Sequence, residues 1–515
     1  MVTARKFCVL NEICYPCLPA RFGKLLPSEP PIPLLSCART IGVTMRKTKI
    51  IATLGPATDG PERLLRLLDI GVNVFRLNMS HAKPEWARQV VKDIRAATAL
   101  RRQAAGILLD TQGPAIRTGD LPAPLELKAG EHFFFVSNPD APAPAGRFTT
   151  VNYPGFAADV RAGDTLLVDN GEIKMRIVST SGASVECEVL ADCKLGNRRH
   201  INLPGVRVGL PALTEKDKED VRMGLDAGVD FIALSFVRDP SDISDLREFI
   251  RASGSPHRPQ IVAKIEHQFA VNHFEEIARE SDLIMIARGD LGVECPYEEL
   301  PIIQRKIAKI CQRIGKPVIV ATHMLESMIQ NPMPTRAEIT DVANAVFEQA
   351  DAIMLSGETS AGKYPFACVE VMDTIARRIE RSGGANFHSD AELTSARQKL
   401  VSSAVKLADD LKAAAIIIFT RRGHMARFAS WMRPRSSPIF AFSEKWSVAD
   451  SLTALRGVCP RVVEFNFENP SETVENAIAQ LVADRLIKRG DTLVVVTDVA
   501  AGDRIVDGLK LRTVD

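Results

Sequence analysis

The chain is predicted to be an α/β protein: a TIM-type (β/α)8 barrel carrying an inserted small β-barrel lid domain and a C-terminal α/β domain. Three observations predict it. About eight short apolar runs alternate with stretches of helical spacing. The alternation is broken once, after the third run, by a Gly- and Pro-rich segment of short β patterns. It then restarts near the C-terminus as a separate series. At 515 residues the chain exceeds one core, so about three domains are expected.

The strands are expected near 47–54, 71–77, 105–110, 229–236, 260–266, 282–288, 316–322 and 350–356. They are apolar almost throughout, as parallel strands buried on both faces must be. P-E-R-L-L-R-L-L at 61–68 has the spacing of an amphipathic helix between the first two. The interruption covers 119–204, where D-N-G inside T-L-L-V-D-N-G-E-I-K-M-R-I is a hairpin signal. An insertion rooted at the C-terminal rim of a barrel is placed to act as a lid. Past residue 385, runs at 413–420, 437–442 and 492–497 read as strands of an α/β domain. The expected domains are therefore 45–118 with 205–384 (barrel), 119–204 (lid) and 385–515 (C-terminal domain).

Residues 1–44 differ from the rest: Pro-rich at P-S-E-P-P-I-P (27–33), mildly basic and without clear periodicity. A tail without regular structure, or a start at Met45, is favoured over an organelle-targeting segment, so the expected compartment is the cytoplasm. Cys14 and Cys17 form a lone C-x-x-C; zinc needs four ligands and no second pair is evident. The other cysteines are scattered, which suits a reducing compartment. A net charge of +2 provides no bulk field for nucleic acid, and no run of about 18 apolar residues suggests a membrane span.

Chemistry in such a barrel sits at the C-terminal ends of the strands. The run I-V-A-K-I-E (261–266) ends in two opposite charges, Lys264 and Glu266, which share one strand face. Alone they could be a surface ion pair of little value. Five other ends are also polar: Arg76, Asn78, Ser80 and His81; Asp110 and Thr111; Arg288 and Asp290; Thr322; and Glu358. Separated carboxylates without a histidine pair suit a hard cation such as Mg²⁺. Adjacent Lys and Arg suit a phosphoryl group in transfer.

The ordered motifs resemble the pyruvate kinase family. They are T-K-I-I-A-T-L-G-P-A-T (48–58), F-R-L-N-M-S-H (75–81), L-D-T-Q-G-P-A-I-R-T-G (109–119), N-L-P-G (202–205), K-I-E (264–266), A-R-G-D-L-G-V-E (287–294), A-T-H-M-L-E-S-M (321–328), P-T-R-A-E (334–338) and L-S-G-E-T-S-A-G-K-Y-P (355–365). The resemblance runs from Met45 almost to the end. It implies transfer of the phosphoryl group of phosphoenolpyruvate to ADP, giving pyruvate and ATP, the last ATP-forming step of glycolysis, in a homotetramer. By motif it implies Glu266 and Asp290 as Mg²⁺ ligands (Mn²⁺ substituting) and Lys264 as the group facing the phosphoryl. It implies Arg76 on phosphate and Thr322 beside the water that protonates the enolate. The backbone of Ala287, Arg288, Gly289 and Asp290 would receive the substrate carboxylate. Asn78, Ser80, Asp110 and Thr111 would cage K⁺, and Arg76, Asn78, His81, Arg117 and Arg199 would touch the nucleotide.

The chain also departs from the family pattern. Gln112 and Ala115 stand where Lys and Glu are common, with Thr111 and Thr118 leaning towards the K⁺ type, so K⁺ dependence stays open. Arg199 and His200 replace Lys and Gly, and His267 replaces Asn but should face away from residues 264 and 266. T-R-R-G (420–423) puts Arg422 where a serine accompanies a sugar-phosphate effector, so a phosphorylated effector and no effector are both expected outcomes. Trp431 and Trp446 read as core or interface packing. Two rival readings are a Mg²⁺-dependent oxo-acid aldolase and an inactive scaffold. The first leaves the lid and His81, Arg117 and Arg199 unexplained. The second requires lost catalytic residues, and none is lost.

Overall fold

Eight strands with unbroken buried apolar sequences close into a ring. They are Lys49–Thr53, Val74–Asn78, Gly106–Asp110, Phe231–Leu234, Gln260–Ile265, Leu283–Ala287, Val318–Ala321 and Ala352–Leu355. Each is parallel to its neighbour in chain order, and the first pairs with the eighth. The computed structural model describes residues 45–138, 140, 143–501 and 504–515; the expectations for residues 1–44, including Cys8, Cys14, Cys17 and Cys37, lie outside them.

Side-chain alternation sorts each strand into two rows. Ile50, Ala52, Phe75, Leu77, Ile107, Leu109, Ile261, Ala263 and Ile265 face outward into the layer shared with the helices. Ile51, Val74, Leu108, Phe231, Ala233, Val262, Met285 and Ile319 fill the lumen. Helices such as Pro61–Asp69 cover the outside, burying Leu64, Leu65, Leu67 and Leu68. Two more residues along the lumen row lead from Val262 to Lys264 and then Glu266. The same step leads from Val74 to Arg76 and Asn78, from Leu108 to Asp110, and from Ala233 to Ser235. The strands' own period of two thus aims these polar ends at one point above the plugged lumen.

The lid strands lie between 125 and 202 and enclose a core around Phe133, Phe135 and Phe156. Six of them form one sheet, and Leu125–Leu127 pairs with Cys193–Leu195 as a separate ribbon. The D-N-G hairpin joins Thr165–Val168 to Ile173–Ser181. Asp169, Asn170 and Gly171 all take positive φ (57°, 56° and 88°), a conformation open to Asp, Asn and Gly at low cost.

The C-terminal sheet has five strands, in the order Val458–Val462, Ile439–Ser443, Ala415–Phe419, Thr492–Ala501, Arg504–Thr513. Two of these were not expected from sequence. Val458–Val462 carries Pro460, which a strand tolerates at a sheet edge. The antiparallel Arg504–Thr513 pairs without a break, but Asp507-Gly508 interrupts its apolar sequence. Trp431 is buried, and its indole N–H donates to the Gln312 carbonyl (2.5 Å) in the barrel, so it packs the domain junction; Trp446 is half-buried. Among the described residues no helix is long and apolar enough to cross a membrane.

Candidate active site

The Lys264 ammonium lies 2.7 Å from Glu266 Oε1 and 3.1 Å from Asp110 Oδ1, and donates to Ser235 Oγ at 2.7 Å. Arg76 Nε donates to the other Asp110 oxygen at 2.7 Å, and its Nη1 donates to Thr53 Oγ1 at 3.0 Å. All are buried. Burial works against the charge on Lys264, but Asp110 and Glu266 outweigh it and hold the ammonium protonated. Burial also works against the Asp110 carboxylate; Lys264 and Arg76 outweigh it and keep that pKa low.

Glu266 is the exception. Burial pushes its pKa up to about 7, Lys264 opposes the rise, and the nearby Asp290 charge adds to it. Its second oxygen accepts the Phe236 N–H (2.8 Å). Asp290 has no hydrogen-bond or ion-pair partner among the described residues, yet faces the same cavity of about 350 Å³. Two carboxylates that repel each other, one without a donor, form an oxygen set that a hard cation would satisfy.

The backbone is strained around this point. Thr322 takes φ 69° and His323 φ 53°, at the end of the seventh strand; Phe236 takes φ 55° beside Glu266. A β-branched residue at positive φ costs about 1–3 kcal/mol and persists where surrounding contacts impose it. Here the Gly289 N–H donates to Thr322 Oγ1 (2.7 Å), that hydroxyl donates to the Ala321 carbonyl (2.7 Å), and Arg288 Nη2 donates to the Thr322 carbonyl (2.7 Å).

Arg76, Asn78, Ser80, His81, Arg117, Arg199, Lys264, Glu266 and Asp290 line the one cavity. Asp110 and Thr111 lie beneath it, with Asn78 in register opposite Asp110. Thr111 Oγ1 accepts the Ser235 N–H, and its carbonyl accepts the Ser235 hydroxyl. Ala287 ends the sixth strand, and Arg288, Gly289 and Asp290 open the short helix Arg288–Glu294. The Arg288 side chain turns away from the cavity to Asp341 (2.7 Å). Glu358 also turns away: its two oxygens accept the Leu325 and Ser356 N–H groups. His267 caps the helix Gln268–Asn272 and lies 3.3 Å from Glu294, facing away from Lys264 as strand alternation requires.

The sequence reading missed Ser235, Phe236 and Thr53, and two lid residues, Asp169 and Asn170, at the cavity wall. Polar character at the ends of the first and fourth strands was the available signal. Asp169 lies 3.1 Å from Arg199, tying the hairpin to that cation. His200 enters the cavity from the lid, 6.2 Å from the Phe236 ring. Burial lowers its pKa; Asp290 opposes this and Arg117 adds to it.

Two family descriptions match the chain: "Pyruvate kinase, barrel domain" over residues 45–369 and "Pyruvate kinase, alpha/beta domain" over 398–507. The chain is 40% identical to plastidial pyruvate kinase 2 of Arabidopsis thaliana over 457 residues, covering 88% of this chain and 78% of that protein. It is 40% identical to the pyruvate kinase of Bacillus licheniformis over 476 residues, covering 89% and 79%. The crystal structure of a pyruvate kinase from Cryptosporidium parvum superposes with a TM-score of 0.86 at 36% identity, covering 91% of this chain and 96% of that one. The chain belongs to the pyruvate kinase family: it is a phosphotransferase that moves the phosphoryl group of phosphoenolpyruvate to ADP, giving pyruvate and ATP.

Proposed function

We propose that the transfer is carried by Lys264, with Glu266 and Asp290 as the divalent-metal ligands. The observation that carries this reading is the buried Lys264 ammonium, shared by Asp110 and Glu266, beside the unpartnered Asp290. Mg²⁺ is the cation this oxygen set suits, with Mn²⁺ able to substitute; when bound it neutralises charge on the phosphoryl oxygens. Lys264 stays protonated throughout and offsets the charge that develops on the phosphoryl in flight. Arg76, anchored by Asp110 and Thr53, holds the phosphate. The backbone from Ala287 to Asp290 receives the substrate carboxylate. Thr322 Oγ1, fixed next to Gly289, places the water that protonates the enolate. Arg76, Asn78, His81, Arg117 and Arg199 bind the nucleotide, the last two from the lid side.

K⁺ completes the set in a cage of Asn78, Ser80, Asp110 and Thr111. A homotetramer fits the apolar side chains exposed on outer helices, Ile302, Ile339 and Phe347, and on the edge strand, Leu511. A phosphorylated effector fits the C-terminal cavity of about 600 Å³ lined by Arg421, Arg422 and four phenylalanines. Among the described residues Cys187, Cys193, Cys295, Cys311 and Cys368 form no disulfide, which fits a reducing, cytoplasmic setting. The domain limits adopted are 45–118 with 205–384, 119–204 and 385–515.

The test is pyruvate formation from phosphoenolpyruvate, ADP and Mg²⁺, run in K⁺ and in Na⁺. Turnover that is faster in K⁺ would support the cage. Equal rates would remove the K⁺ cage. No turnover in either, from folded protein supplied with candidate phosphorylated effectors, would overturn the assignment of roles.

A further inference from the structure

A cleft of about 570 Å³ lies between the barrel and the C-terminal domain, at the end of the barrel opposite Lys264. Its barrel wall precedes the fifth, sixth and seventh strands and includes Arg258, Gln260, Asp282 and Lys316; its other wall includes Arg422 and Arg427. Hydrogen bonds cross between the walls. Arg427 donates to Gln260 Oε1 (2.7 Å) and to the Asp282 carbonyl (3.2 Å), and Gln260 Nε2 donates to the Ser451 carbonyl (2.9 Å).

Four cations therefore face the cleft, and among the described residues none has a carboxylate within ion-pair distance. Arg258 donates to the carbonyls of Ser255 and His257, and Lys316 to those of Arg279 and Ser281. Arg427 has only the carbonyl and amide oxygens above. Arg422 has no acceptor among the described residues. The one carboxylate lining the cleft, Asp282, is already engaged by the Ile261 N–H (2.9 Å) and by Arg247 (3.3 Å) from outside it. Burial lowers the Lys316 pKa; Asp282 opposes this, while Arg427 and Arg247 add to it. Lys316 and Arg427 are half-buried and Arg258 and Arg422 are exposed, a convergence of cations that suits an anion.

The ligand class follows from what the walls lack. Among the described residues no Phe, Tyr or Trp lines the cleft. The neighbouring C-terminal cavity shares Arg422 but is walled by Phe419, Phe428, Phe465 and Phe467. The imidazoles of His257 and His424 offer a base less to stack on than the four phenylalanine rings next door, whereas a phosphate group would meet Arg and Lys donors on both sides. We propose that this interdomain cleft binds a small non-aromatic phosphate, either free or as a polyol monoester, that bridges the barrel and the C-terminal domain.

Arg258 and Lys316 lie outside the catalytic machinery and make no cross-domain bond, so Arg258→Ala/Lys316→Ala tests the site without undoing the domain junction. Crystals soaked in selenate should show an anomalous peak in the cleft that the double variant loses while peaks elsewhere persist. By calorimetry, glycerol 3-phosphate and inorganic phosphate titrated separately should each bind one fewer site, or about tenfold more weakly, in the variant. Tighter binding of the ester would name the polyol monoester, and equal binding free phosphate. Arg421→Ala, confined to the aromatic cavity, should leave the cleft peak in place. No cleft peak at a concentration that fills the active site would overturn the proposal. So would a peak with unchanged calorimetry in the variant, meaning an adventitious ion only.

Discussion

Both ends of the barrel bury charged side chains, and they differ in how completely those charges are paired. At the N-terminal end three arginines that join the domains each have a carboxylate. Arg433 holds both oxygens of Asp351 at 2.6 Å, with both side chains nearly inaccessible. Arg95 joins Asp230 (2.7 Å) to Asp450 (2.9 Å), and Arg456 meets Glu380. Each of the three crosses between barrel and C-terminal domain. At the C-terminal end Asp290 has no partner among the described residues and the β-branched Thr322 sits at positive φ; burial raises a carboxylate pKa at both ends, Glu266 to about 7 here and Asp450 to about 8 there. Balanced buried pairs fix a geometry, because loss of either partner strands a charge. Imbalance and strain cost stability, and they persist where a ligand supplies what is missing. The cleft cations are an imbalance of the same kind, set among the balanced pairs.

The largest effect belongs to Lys264→Met: a fall in kcat on the order of a thousandfold with modest change in substrate binding, read by steady-state kinetics. Next is Arg433→Met, which leaves Asp351 buried without its partner and should cost about 3–5 kcal/mol in denaturant unfolding. Glu266→Gln removes one charged oxygen and should raise half-saturating Mg²⁺ about tenfold; an unchanged Mg²⁺ titration would count against the ligand role.

The smallest is an acid effect at the domain linker. Burial pushes the His388 pKa down to about 4, with Arg433 and Arg435 adding and Asp409 opposing, and its Nδ1 has no partner among the described residues. A depressed pKa favours the neutral ring in the folded state. That contribution is complete above the ordinary histidine value of 6.5 and is lost as pH falls from there through about 4. Discounted for partial exposure, it amounts to about 1–2 kcal/mol. His388→Gln should flatten the pH dependence of the melting midpoint over that window; an unchanged slope would remove His388 as its cause.

The barrel was legible because parallel strands buried on both faces must be apolar runs, and the runs are what the sequence displays. Lys264 and Glu266 were legible as a pair because a strand's period of two puts them on one row. Ser235 escaped because S-F closes V-D-F-I-A-L-S-F as if the apolar run simply continued. Arg288 and Glu358 were read correctly as lying near strand ends, but position along the chain does not say where a long side chain turns. One leaves for Asp341, the other caps two backbone N–H groups. Asp169 and Asn170 reach the cavity only because the lid folds back over the rim, a tertiary fact with no local signal.

The most direct test sets Lys264→Met beside Arg433→Met, with kcat and melting midpoint read on the same preparations. A crossed pattern is predicted. Lys264→Met should be folded at the assay temperature and slowed about a thousandfold; Arg433→Met should show the larger fall in midpoint, with kcat within a few-fold of wild type while folded. A folded Lys264→Met enzyme with near wild-type turnover, or a folded Arg433→Met enzyme slowed to the same degree as Lys264→Met, would contradict the division of labour between the two ends of the barrel.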